Sequence, residues 1–181
     1  MADIADPLKK MLMSKSFSTD RSRIRMFGKM DWTLEPSRGM AELIQIPGEK
    51  MTQEELFRFG YDNGKIIVDE IKGILLGTEK SITQKAINDL LEFIGMGQID
   101  FIRSETSEDG HHHIVAHMIN NPIIEHAKEM YGEISVICTF LRGLFSAHAE
   151  MVLGLKNVHL NELKCQCKNQ AKDFCEWESK W

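Results

Sequence analysis

The sequence of 181 residues predicts an α+β fold, a mixed or antiparallel sheet covered by helices on one side. Three observations carry this. Short runs rich in β-branched and aromatic residues come in pairs around turn signals. Longer runs with apolar residues at helical spacing separate those pairs. The order along the chain is strand pair, helices, strand pair, helices, strand pair.

Residues 1–20 turn polar after Leu12 and end in Ser14-Lys-Ser-Phe-Ser-Thr-Asp20, which reads as a small helix or arm followed by a linker. The domain proper is then 21–181. Arg23-Ile-Arg-Met-Phe27 and Trp32-Thr-Leu34 read as two strands joined at Gly28-Lys29, and Glu35-Pro36 breaks the pattern. Thr52 and Glu55 form a capping box that starts a helix running to about Leu76. Its apolar residues are Leu56, Phe59, Ile66, Ile67, Ile71 and Ile74. Gly60 and Gly64 lie inside it, each costing about 1 kcal/mol relative to alanine, so another element is expected to approach closely there.

A second helix is expected from Ser81, burying Ala86, Leu90, Leu91 and Phe93 and stopping at Gly95 and Gly97. Ile99–Arg103 and His113–Ile119 form a hairpin around Ser107-Glu-Asp-Gly110. Asn121-Pro122 opens a short helix, with Pro122 in the first helical position. A longer helix follows from about Ser135 to Leu153, and Gly154 stops it. Val158–Cys165 and Phe174–Trp177 make the last hairpin.

Composition narrows the function classes. Apolar residues make up 43% of the chain, enough for a real core. The net charge of −5 provides no basic footprint for nucleic acid, so no direct DNA contact is expected. No apolar run reaches membrane-spanning length, and the first residues lack the basic start of a signal peptide, which points to a cytoplasmic protein. No dinucleotide fingerprint, phosphate-binding loop or nucleophile elbow is found. A reductase acting alone would need a hydride or electron source, and no place for one is visible.

Of the four cysteines, Cys165, Cys167 and Cys175 crowd into eleven residues, and Cys138 opens the long helix. Clustered thiols in a reducing compartment point to metal or redox chemistry. Zinc takes four ligands in a tetrahedron. Glu162 and Cys165 stand at the end of one strand, the hairpin brings Cys175 back beside them, and Cys138 comes from the helix. That set would pin the helix to the hairpin. Strand alternation puts Glu162 and Cys165 on opposite faces unless the strand ends or bulges there. Cys167 is the alternative fourth ligand and would give a four-thiolate site. An iron–sulfur cluster, or thiols that are simply buried, are the other readings.

These residues resemble the 4-vinyl reductase domain family. The resemblance rests on Asn121-Pro-Ile-Ile-Glu-His-Ala127, Cys138-Thr-Phe-Leu-Arg-Gly143, Glu162-Leu-Lys-Cys165 and Cys175-Glu-Trp177. Arg23–Phe27 and Phe59-Gly-Tyr-Asp-Asn-Gly64 add to it, and it spans roughly residues 20–178. The turn between the last two cysteines is two residues longer than is usual in the family, which leaves the first hairpin ligand open. The resemblance implies the fold of transport-particle subunits and nitric-oxide signalling ligand-binding domains. It implies zinc held by Cys138, Glu162, Cys165 and Cys175, pairing as a homodimer, and service as a regulatory sensor for small hydrophobic molecules. Matched to aromatic-sensing relatives, the pocket positions are Arg142, His148 and Leu160, joined by Phe101 and His117 from the neighbouring hairpin. Arg142 and His148 stand where those relatives usually carry aromatic groups, which favours a ligand with a carboxylate or phosphate. Output would pass to a partner protein. The alternatives are an accessory protein or reductase of tetrapyrrole metabolism, and an assembly module with no ligand. Of the remaining histidines, His111, His112 and His113 read as a solvated hairpin edge, because adjacent strand residues point apart.

Overall fold

The computed structural model describes residues 17–20, 23–26, 30–32, 36–75, 88, 91–92, 95–171 and 173–181. The fold is α+β. Strands β1 (Phe17–Asp20), β2 (Arg23–Met26) and β3 (Met30–Trp32) form an antiparallel three-stranded sheet. A strand therefore occupies Phe17–Asp20, where the sequence pattern reads as linker.

Helix α1 (Ser37–Gly48) is unforeseen in the sequence pattern. It follows Pro36 without a side-chain cap and carries Pro47 in its last turn, so the usual start and stop signals are missing. Its buried Gln45 accepts from Val136 N (3.0 Å) and donates to Ile134 O (3.2 Å), fixing the chain just ahead of the long helix.

Helix α2 (Gln53–Leu75) begins at the expected capping box. Glu55 accepts from Thr52 N at 2.8 Å, and Thr52 Oγ1 accepts from Glu55 N at 3.2 Å. Its buried stripe is Leu56, Phe57, Gly60, Gly64 and Val68. Phe59 and Ile66, expected inside, are 44% and 63% exposed. The glycines determine the face instead, because that is where the neighbouring helix touches. The helix expected from Ser81 lies mostly outside the described residues, though Leu91 is buried and residues 91–92 are helical.

The main sheet is antiparallel in the order β4-β5-β7-β6: β4 (Gln98–Thr106), β5 (His112–Ile119), β6 (Asn161–Lys164) and β7 (Phe174–Lys180). Both expected hairpin pairings form. Ile114, Ala116 and Met118 of β5 and Cys175, Trp177 and Ser179 of β7 are buried at alternate positions, which sets the helix-covered face. Between the hairpins come α3 (Pro122–Tyr131), a 3-10 turn over Gly132–Ile134, and α4 (Ile137–Leu153). Asn121 caps α3 by accepting from Ile124 N at 3.0 Å, and its amide donates to Met96 O at 2.8 Å. Gly154 stops α4 at φ 67°, the left-handed conformation expected of it.

Helix α4 is the centre of the molecule. Every residue from Gly143 to Ala149 is buried, the mark of a helix covered on all sides. One side faces the sheet, where Phe145 stacks near Trp177 with ring centroids 6.0 Å apart. The other side meets α2 at backbone distance. A Cβ on Gly60 would stand 2.0 Å from Phe140 O, and one on Gly143 would stand 1.9 Å from Phe57 O. Only hydrogen fits at these points, which explains why α2 tolerates glycines in its middle. Gly143→Ala should therefore cost about 1–3 kcal/mol, by forcing the helices apart. Thermal unfolding should show a clear drop in midpoint, whereas Glu108→Ala on the exposed hairpin turn should stay within about 0.5 kcal/mol of the parent.

Candidate metal centre and interior polar cluster

Strand β6 ends at Lys164, so Cys165 is already outside the ladder and alternation no longer governs it. Residues 166–169 form a turn closed by Asn169 N to Gln166 O (3.1 Å) and Gln170 N to Cys165 O (3.1 Å). Asn169 adopts φ 56°, which asparagine tolerates better than most residues. The turn folds Cys165 and Cys167 inward together. Cys175 comes in from β7, whose buried face it shares with Trp177 and Ser179. Cys138 points down from the first turn of α4.

All four thiols are buried and unpaired by disulfides. Cys165 Sγ lies 3.2 Å and Cys175 Sγ 3.7 Å from Cys138 Sγ. The sulfurs of Cys138, Cys165 and Cys167 all fall within 4.8 Å of one another. Metal–sulfur bonds of about 2.3 Å in a tetrahedron place sulfurs roughly 3.8 Å apart, so the Cys138–Cys175 spacing fits a thiolate metal site and the Cys138–Cys165 spacing is tighter than one. Backbone amides support it. Gln166 N donates to Cys175 Sγ at 3.3 Å, and the Lys168 amide donates to Cys165 Sγ.

Hydrogen bonds from Cys138, Cys167 and Cys175 pull the Cys165 thiol far below the ordinary range. Cys138 is pushed well up by its hydrogen bonds to Cys165, Cys167 and Cys175 and by burial. Cys167 is lowered by Cys138 but raised more by Cys165 and burial, and stands at about 11. A divalent cation is what would let all four ionise together.

Glu162 is placed differently from the expected ligand set. Its carboxylate pairs with Lys168 on the turn, and of the expected ligands both Glu162 and Cys175 fall outside the mutually close group of Cys138, Cys165 and Cys167. Lys168 is raised above its ordinary value chiefly by that pairing.

The expected pocket residues divide into two groups. Arg142, His148 and Leu160 sit in the interior, and Phe101 joins them at its margin. Leu160 and His148 are 0% and 1% exposed. Arg142 Nη1 donates to Leu160 O at 3.4 Å, Nη2 to Thr139 Oγ1 at 3.3 Å, and burial lowers its pKa. Phe101 pairs with Ala116, which pairs with Trp177, so all three share one row on the covered face. Ser146 ties the region together, donating to Arg142 O at 2.8 Å and accepting from Leu160 N at 3.1 Å. His117 belongs elsewhere. It lies on the outer face, alternating with buried Ala116 and Met118, and pairs with Glu176 at 2.9 Å while stacking on Phe174.

Three buried polar atoms find no hydrogen-bond partner among the described residues: Arg142 Nε, His148 Nε2 and Trp177 Nε1. His148 Nδ1 bonds Leu144 O at 2.9 Å, and burial lowers the ring's pKa, holding it neutral. His148 and Trp177 flank Phe145, with His148 5.4 Å from that ring. Sequence reasoning did not single out Trp177 as a buried polar group of the interior. Its signal was available in the alternation Cys175–Trp177, which puts both on one face.

Outside the interior, a cleft of about 350 Å³ lies beside α2 and the end of α4, lined in part by Phe57, Tyr61, Glu150 and His159. Glu150 organises it, accepting from Tyr61 Oη at 2.9 Å and Val158 N at 3.1 Å. Burial, then the Glu150 bond, pushes the Tyr61 phenol up to about 12. The histidine run is exposed as expected at His111, while His113 pairs with Glu178 at 2.8 Å. No described helix is long and apolar enough to cross a membrane.

The sequence matches no protein-family model and no curated protein. In three dimensions the chain is similar to the crystal structure of the phenol-responsive sensory domain of the transcription activator PoxR with phenol. The TM-score is 0.62 at 14% identity, covering 99% of this chain and 90% of that one. The likeness shows a shared fold. Native protein should resist a bulky thiol reagent at all four cysteines, and denatured, metal-free protein should release four equivalents. A fast-reacting native thiol would contradict the buried cluster.

Proposed function

We propose that this chain is a small-molecule-binding sensory domain, and that a zinc ion held by its cysteine cluster locks the terminal hairpin to α4. The observation that carries the sensory reading is the interior set of Arg142, His148 and Trp177. A buried polar group left unpaired costs about 1–3 kcal/mol, so three such atoms on α4 and β7 are a reason to expect a further group that satisfies them. A largely apolar molecule bearing one or two polar groups would do so. Its ring would rest near Phe101 and Phe145, and its polar group would meet His148, Trp177 or Arg142. The shared fold with a phenol-responsive domain supports the same reading.

The zinc would not take part in chemistry. Four protein ligands close its shell, and a closed shell leaves no position for substrate. Cys138 from α4 and the cysteines of the β6–β7 hairpin would hold it. Binding a structural zinc is worth on the order of 10 kcal/mol or more in small zinc-folded units, so much of the hairpin's order would depend on it.

A sensor needs an output. Leu43 and Ile46 on α1 and Ile134 after α3 are 62%, 60% and 72% exposed, and such apolar side chains suit a dimer face or a partner protein. A ligand that orders the α4 interior would transmit through these elements, since Gln45 bonds the backbone at Ile134 and Val136.

Calorimetry with phenols, aromatic carboxylates and aryl phosphates tests the ligand reading. At least one class should bind the parent protein and raise its unfolding temperature. His148→Phe should weaken that binding at least tenfold with the midpoint of the ligand-free protein little changed. A panel in which nothing binds, or in which His148→Phe binds as well as the parent, contradicts it.

A further inference from the structure

We propose that the metal in this chain is held by four thiolates, Cys138, Cys165, Cys167 and Cys175, and that Glu162 acts outside the metal's shell as the carboxylate that fixes the turn through Lys168. The inference rests on the metal reading above and names its ligands.

Three observations carry it. Cys167 is fully buried, and its sulfur belongs to the group with Cys138 and Cys165. Its backbone acceptor, Ile124 O, is distant at 3.8 Å, and its other partners include the neighbouring cysteine sulfurs themselves. Cys175 Sγ stands outside that mutually close group but approaches Cys138 Sγ to 3.7 Å, which makes it the fourth thiolate of the proposed set. Second, Glu162 already has a partner: its carboxylate pairs with Lys168, whose side chain comes from the same turn as Cys167. Reaching the sulfurs would require breaking that pair. Third, the turn geometry requires Cys167. Cys165 leaves the strand after Lys164, and the closed turn through Asn169 brings the residue two positions on to the same side. The longer turn thus supplies the ligand from its own backbone, and the strand carboxylate is released for another role.

The chemistry follows from the donor set. Four soft thiolates select zinc or cadmium over magnesium, calcium or manganese. Four thiolates around a divalent ion leave two negative charges. Arg142 and Lys168 both lie within electrostatic reach of Cys138 and Cys165 and offset them. Glu162 in turn faces both cations, which makes it a positioning residue that holds them beside the sulfurs.

X-ray absorption at the zinc edge of the full-length, zinc-loaded protein is the test. The parent should show four sulfur neighbours at about 2.3 Å and no oxygen at about 2.0–2.2 Å. Cys167→Ser should replace one sulfur by a lighter atom, and competition with a chromophoric chelator should show zinc affinity reduced at least tenfold. Glu162→Gln should keep four sulfurs, and its loss of affinity should be smaller than that of Cys167→Ser. A parent shell of three sulfurs and one oxygen overturns the assignment. So does a Glu162→Gln protein that loses a zinc neighbour while Cys167→Ser keeps the parental shell. The parent spectrum decides alone if Cys167→Ser does not fold. Protein that takes up no zinc by elemental analysis removes the metal reading itself and this ligand set with it, whereas a three-sulfur shell removes only the ligand set.

Discussion

Among the described residues, the main sheet and α2 are arranged around one helix with no exposed side. Helix α4 lies between the main sheet and α2, and seven consecutive residues from Gly143 to Ala149 are buried. Such a helix must satisfy each neighbour separately. Toward α2 it presents Gly143, so that two backbones touch. Toward the sheet it presents Phe145, which meets Trp177. Toward the segment before β6 it presents Ser146, whose hydroxyl takes the Leu160 amide. At its start Cys138 joins the hairpin sulfurs, and at its end Glu150 takes the Val158 amide. Close packing of this kind transmits displacement, because side chains and backbone have no slack to absorb it.

That constraint links the two candidate sites. The cysteine cluster and the polar interior are both built on α4, one turn apart at Cys138 and Arg142, and both need the terminal hairpin. Cys175 and Trp177 come from adjacent covered-face positions of β7, one beside the other cysteines and one beside Phe145. Whatever holds the hairpin against α4 therefore also sets how Trp177 packs beside Phe145.

Much of this was legible in the sequence where a local rule applied. The capping box at Thr52, the Asn121-Pro122 start and the Gly154 stop all form as the residues require, because short-range hydrogen bonding decides them. The hairpins form because apolar alternation and turn residues agree. Two glycines in α2 pointed to a close approach before any partner was known. What was illegible depended on tertiary context. Helix α1 has no cap signal and carries a proline. The exposed Phe59 and Ile66 were misread because helical spacing alone cannot tell a face that meets backbone from one that meets solvent. His117 sits among apolar neighbours in sequence, yet alternation turns it outward to Glu176. At the cysteines, the sequence pattern narrowed the set and left the fourth ligand open, since the answer depends on where a strand ends. That end falls at Lys164, one residue before Cys165.

Amide hydrogen exchange, measured on metal-stripped protein with and without added zinc, tests the central claim most directly. The account predicts that zinc slows exchange in the first turns of α4 and throughout the β6–β7 hairpin, with little change in the β4–β5 turn around Gly110. Protection unchanged by zinc at both α4 and the hairpin would contradict it.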